Sequence, residues 1–313
     1  MLGTIFNTLA PVAFVILLGY VAGRRNFLKT ADRVLITNLV LTWLLPPLLF
    51  AGVLKTPRAD LLNYRIPLIF LVGLMIPFLA VLIVCRFVLR YDRRSATLKA
   101  GIVTFPDMVF MGIPILHQLF GPSSLYPILI ANLVPSLIII PLTTVLLNLG
   151  SDKSENAGSS VFIKQLVKAI REPKVWAPLL AVVLVVLNLH IPQFVIDSFS
   201  LMGSPTTGLS LFVVGLIIAE EKVRVTALIT FDSLMKNLAH PAFMAAIVLA
   251  FGVSGVLARE AILLAAIPSA VITTMFAEQF GVLRSESSTA ILETRVLSFV
   301  TIPIVFALTQ HYL

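Results

Sequence analysis

Ten long apolar runs, each close to the length of a membrane-crossing helix, restrict this chain more than any other feature. They fall at about 4–22, 35–54, 65–89, 98–119, 125–148, 175–191, 205–220, 237–257, 260–280 and 288–310. A helix needs roughly 20 apolar residues to cross a hydrocarbon layer about 30 Å thick. Backbone in lipid must satisfy its own hydrogen bonds, which leaves helices or a closed barrel. The runs are near-continuous and lack the alternation of barrel strands. They predict an all-α integral membrane protein with ten transmembrane helices. Composition agrees: 58 % of the 313 residues are hydrophobic and 12 % charged, where a soluble domain is about one quarter charged. The short connections leave no room for a separate soluble domain.

The net charge of +8 raises nucleic acid as a partner, but its distribution points to topology. Basic residues concentrate in cytoplasmic loops. The loop after run 1 holds Arg24, Arg25, Lys29 and Arg33, and the region between runs 3 and 4 holds Arg86, Arg90, Arg93, Arg94 and Lys99. The central loop holds Lys153, Lys164, Lys168, Arg171 and Lys174. Lys222, Arg224 and Lys236 precede run 8, and Arg284 precedes run 10. Only Lys55, Arg58, Arg65 and Arg259 fall on the other side, and Arg295 lies inside run 10. The bias predicts a multi-pass inner-membrane protein with both termini outside. Run 1 starts at Thr4 without preceding basic residues and is followed by arginines. That is the reverse of a cleaved signal, so it is expected to be retained. The lone Cys85 forms no intrachain disulfide.

The chain reads as two halves, 1–150 and 175–313, joined by a polar linker, 151–174, whose end (161–170) suits a short amphipathic surface helix. VPSLIIIPL (Val134–Leu142) and VLSFVTIPI (Val296–Ile304) match at an offset of 162, which also places Pro106 on Pro268. LLFAG (Leu48–Gly52) and LFVVG (Leu211–Gly215) match at 163. An odd number of helices per half makes the halves oppositely oriented, and inverted repeats recur among transporters. The expected architecture is therefore two inverted five-helix repeats with Pro-broken crossover helices 4 and 9.

Proline in mid-helix removes a hydrogen bond and clashes with the preceding turn. Pro106 and Pro268 break corresponding helices near mid-membrane, the best sequence pointer to a transporter's binding site. Freed half-helix N-termini suit an anion. Ordinary tolerated kinks are the plainer reading. Asp107 is the sharpest single residue, because a charge at the bilayer centre costs at least ~2.5 kcal/mol. It must face a cavity, pair with a cation or be protonated; alternatively it only caps the half-helix. Arg295 and Glu293 are expected near the cytoplasmic surface, where arginine snorkels, with Arg295 as a minority candidate for a carboxylate anchor. Glu278 reads as interfacial. Asn132 either binds substrate or joins helices. His117, His190, His240 and His311 are scattered without metal-ligand spacing. HExxH, P-loop and GxSxG motifs are absent, and GVSG (Gly252–Gly255) sits at a helix end. The expectation is a non-enzyme without cofactor, metal site or nucleic-acid partner.

FPDMVFMGIPIL (Phe105–Leu116), IPSAVITTMFAEQFGV from Ile267 and REP (Arg171–Pro173) resemble motifs of the auxin efflux carrier family, which includes the plant PIN proteins. The short central loop is more like the bacterial members, malonate carriers among them. The resemblance implies a homodimeric secondary carrier of small organic anions, with an elevator-type mechanism and a scaffold domain beside a transport domain. It places the family's crossover Asn on Asp107 and its crossover prolines on Pro106 and Pro268. A pocket aliphatic falls on Val271, a helix 2 pocket around Leu45 and Pro46, and an amide near Asn132. With Ser269 and Met108 these form the candidate substrate-binding set. The departure at Asp107 matters: ionised Asp only accepts hydrogen bonds, whereas Asn donates. Either Asp107 is protonated when substrate binds, linking transport to protons, or the substrate carries an amine or hydroxyl. The rival expectations are a sodium-coupled symporter of the bile-acid type and a non-transporting membrane sensor.

Overall fold

The computed structural model describes residues 2–149, 157–220 and 226–312. Its helices are α1 (Leu2–Arg24), α2 (Thr30–Leu54), α3 (Arg65–Val88), α4 (Arg93–Thr104), α5 (Met108–Phe120), α6 (Pro122–Asn148) and α7 (Ala157–Arg171). They continue as α8 (Pro173–Val186), α9 (Gln193–Glu220), α10 (Ala227–Ala250), α11 (Val256–Ala266), α12 (Ile272–Phe280) and α13 (Arg284–Tyr312). Among the described residues six helices (α2, α3, α6, α9, α10 and α13) are long and apolar enough to cross a membrane. The protein is an all-helical integral membrane protein.

Most boundaries follow the apolar runs. Two helices start well before their runs: α9 begins at Gln193 rather than at 205, and α10 begins at Ala227 rather than at 237. The first half of α10 carries Asp232 and Lys236, which a hydropathy reading assigns to a loop. Both are helical because each finds a buried partner, as described below. The expected amphipathic segment 161–170 lies within α7. Ser151 to Asn156 of the linker, including Lys153, lie outside the described residues, as do Lys222 and Arg224. Inside α10, residues Met235–Ala239 form a wider turn in which the His240 N–H donates to the Met235 carbonyl, five residues back. Pro241 follows directly and has no N–H to continue the ordinary ladder.

The chain divides into two compact units. The first comprises Met1–Pro67, Met108–Ile130 and Ile170–Glu221; the second comprises Leu68–Asp107, Ala131–Ala169 and Lys222–Leu313. Each takes segments from both sequence halves, so the units cut across the division expected from the repeats.

In the first unit α1 packs on α9 with backbones touching. A Cβ on Gly19 would meet the Phe212 carbonyl oxygen, and one on Gly215 would meet that of Ile16. Small residues that permit such approach are how helices associate in lipid, where burial of apolar surface gives little drive. In the second unit Asp92 caps α4 by accepting from the Ser95 N–H at 3.1 Å, and Ile102, Ile229 and Ala290 form a buried cluster.

Candidate functional site

Two chain breaks meet inside the second unit. The residue before a proline is pushed out of the helical region towards extended backbone. Phe105, before Pro106, ends α4 at φ −82°, ψ 108°. Ile267, before Pro268, ends α11 at φ −61°, ψ 138°. The two extended stretches then pair in antiparallel fashion. The Asp107 N–H donates to the Pro268 carbonyl and the Ala270 N–H donates to the Phe105 carbonyl, both at 2.8 Å. Each break thus satisfies backbone groups that the other leaves without helical partners. The Ser269 hydroxyl donates to the Ile102 carbonyl at 2.5 Å. The Ser269 N–H donates to the Thr294 Oγ1 at 3.2 Å. The Phe105 ring stacks on Phe78 with centroids 5.7 Å apart.

Arg295 lies next to this crossing. Its Nη2 donates to the Asp107 Oδ2 at 3.1 Å, and the two side chains are 0 % and 4 % exposed. The expectation of an interfacial, snorkelling Arg295 does not hold; the side chain is fully buried. Asp107 has the cation that its membrane position demands. The Arg295 Nε and Nη1 are buried and meet no hydrogen-bond partner. A guanidinium carries five N–H donors in a planar fork, so part of this one stays open to a further acceptor.

The structure brings Pro106, Asp107, Pro268, Ser269 and Arg295 together. Val271 follows one residue before α12 and is half-buried. Asn132 is in the second unit, half-buried, and its Nδ2 is a buried donor without a partner. Leu45, Pro46 and Met108 are buried in the first unit. Glu293 does not reach outward: it accepts from the hydroxyls of Ser233 at 3.1 Å and Thr230 at 3.4 Å. Glu278 is exposed and pairs with Arg284 at 3.4 Å.

Sequence reasoning missed a polar seam along α10. Asp232 pairs with Lys99 at 2.6 Å. The Asn237 Nδ2 donates to the Thr294 carbonyl at 2.8 Å. The Lys236 Nζ donates to the Ala265 carbonyl at 2.8 Å and lies 3.0 Å from the His240 Nδ1. Lys236 belongs to this seam and not to a basic loop. Asp232, Lys236 and His240 recur at every fourth position, so they share one helix face. That spacing was the available signal, masked because charged residues ended the apolar run.

Comparison with known proteins agrees with the fold. The membrane transport protein family matches residues 4–306. The uncharacterized transporter YfdV of Escherichia coli K12 is 28 % identical over 305 residues, covering 96 % of both chains. Auxin efflux carrier component 3 of Arabidopsis thaliana is 29 % identical over 153 residues, 47 % of this chain and 23 % of that protein. A probable auxin efflux carrier component 1c of rice is 29 % identical over 133 residues, 40 % of this chain and 22 % of that protein. With a match that runs nearly end to end and auxin efflux carriers among its relatives, the chain belongs to the membrane transport protein family.

Proposed function

We propose that this transporter is a secondary carrier of a small organic anion, a malonate-like carboxylate or an auxin-like weak acid. One observation carries the reading: a fully buried arginine at the crossing of two broken helices, held by one carboxylate and retaining two unpartnered nitrogens. An Arg fork matches carboxylate geometry better than any other side chain. Asp107 orients Arg295 and neutralises it between substrates, which lowers the cost of keeping a lone charge in the membrane. The incoming carboxylate takes up the Nε and Nη1 donors. In this reading Ser269, Asn132 and Val271 complete the substrate's contacts, the first two as polar groups and the last as an apolar one.

The full reading includes ten transmembrane helices as two inverted repeats, both termini outside a bacterial inner membrane, and a homodimer working by an elevator-type movement. Corresponding prolines, the charge bias of the loops and the relation to auxin efflux carriers support it. The counter-charge of Arg295 means that Asp107 needs no proton to reside in the bilayer, so the question of proton linkage passes to other residues.

The test is uptake of labelled malonate and of labelled indole-3-acetate into proteoliposomes under a proton gradient, a sodium gradient or neither. Saturable flux of either acid, lost at least tenfold in Arg295→Gln, supports the carrier. Strict dependence on sodium would favour the bile-acid type of symporter. No flux of either acid from folded protein would remove the reading.

A further inference from the structure

Lys236 sits in the middle of α10 with 0 % exposure, and His240, one turn on, is 3 % exposed. Intramembrane ionisable residues are expensive and default to function. Among the described residues no carboxylate pairs with this lysine. Its partner is the end of a broken helix. Ala265 belongs to the last turn of α11, and its regular helical donor would be the Ser269 N–H, which is instead given to Thr294. The Lys236 Nζ fills that place on the Ala265 carbonyl. A cation at a helix C-terminus is favoured by the aligned peptide dipoles. On its other side His240 closes the group, with its Nε2 3.2 Å from the Gly73 carbonyl of α3.

The hydrogen bonds limit how many protons this group holds. With a charged lysine, Nζ donates to Ala265 and to His240 Nδ1, while Nε2–H donates to Gly73. With the lysine neutral, the same three bonds persist, so an excess proton enters or leaves without breaking one. Charging both groups would set like charges 3.0 Å apart in a buried site, which is strongly disfavoured. The group therefore holds at most one excess charge. The other charged residues of the packed elements are engaged elsewhere or do not pair with it. Lys99 of α4 holds Asp232 and approaches Glu286 of α13 at 3.5 Å. Arg93 and Arg94 of α4 bond backbone carbonyls. Glu293 of α13 holds Ser233, and Arg295 holds Asp107. Arg259 and Glu260 of α11, and Arg65, Cys85 and Arg86 of α3, make no bond to Lys236 or His240. The same stretch of α10 bonds two backbone carbonyls near the crossing: Lys236 that of Ala265 at the end of α11, and Asn237 that of Thr294.

We propose that Lys236 and His240 form a one-proton site whose proton is the coupling ion of the carrier, taken up and released once per transport cycle. The proposal rests on the carrier reading above. Its test uses proteoliposomes and the labelled acid that the wild type transports, comparing accumulation under a pH gradient with exchange at equal pH. Wild type is expected to accumulate the acid under the gradient. Lys236→Gln and His240→Gln are expected to lose that accumulation at least tenfold while exchanging at a rate within about threefold of wild type. Wild-type flux indifferent to the pH gradient would overturn the proton site and leave the carrier intact. So would normal gradient-driven accumulation in both variants, or loss of exchange along with accumulation in variants with unchanged melting temperature. If Lys236→Gln does not fold, His240→Gln alone decides. Absence of any flux from folded wild type counts against the carrier reading itself, a separate failure.

Discussion

At the scale of single residues, the pair Asp107 and Arg295 makes stability and binding separable. Removing one partner of a buried ion pair leaves an uncompensated charge and costs about 3–5 kcal/mol. Arg295→Leu alone should lower the melting temperature of the purified protein sharply. The double change Arg295→Leu with Asp107→Leu should recover most of that loss, because two apolar side chains of similar volume need no counter-charge, yet it should bind no carboxylate. Asp92 offers a smaller, independent check. Its carboxyl is held below the usual range by hydrogen bonding to Ser95, partly offset by burial. A depressed pKa means that this cap stabilises above the ordinary carboxylate value of 3.8 and is lost as pH falls through the lower, folded value. Asp92→Ala should cost about 1 kcal/mol at neutral pH, with the difference from wild type shrinking below pH 4, read by thermal unfolding. Asp107 was legible in the sequence because a charge beside a mid-membrane proline has few explanations. Arg295 was readable as a candidate carboxylate anchor, but its pairing with Asp107 was not, since the two stand 188 positions apart.

At the scale of elements, the two prolines write the crossing. Pro268→Ala restores an N–H facing the Leu264 carbonyl and favours continuous helix through Ser269. The bonds between the breaks, Asp107 to Pro268 and Ala270 to Phe105, then compete with helix. The expected outcome is transport reduced at least tenfold in protein that still folds, measured by uptake alongside melting temperature. The packing of α1 on α9 gives a stability prediction that is indifferent to substrate. Gly215→Val drives a side chain into the Ile16 carbonyl and the Tyr20 amide nitrogen, and overpacking of this kind costs about 1–3 kcal/mol. The breaks were readable because proline acts locally. The start of α10 was not, because hydropathy scores Asp232 and Lys236 as loop residues and has no access to the partners that make them affordable inside a helix.

For the whole molecule, the apolar runs marked where helices lie but not how they group. The compact units assemble segments far apart in the chain, such as Leu68–Asp107 with Lys222–Leu313, and only long-range contacts define that grouping. The candidate site was half legible for the same reason: prolines and Asp107 mark themselves, while Arg295 and the Lys236–His240 group are recognised by what they touch. The central claim is that Arg295 receives the substrate's carboxylate. Calorimetric titration of the purified protein with malonate and with indole-3-acetate, on wild type, Arg295→Gln and Asp107→Asn, tests it most directly. The account predicts binding of one of these acids by wild type, equal or tighter binding by Asp107→Asn, where the competing carboxylate is gone, and at least tenfold weaker binding by Arg295→Gln. Unchanged affinity in a folded Arg295→Gln protein would contradict it.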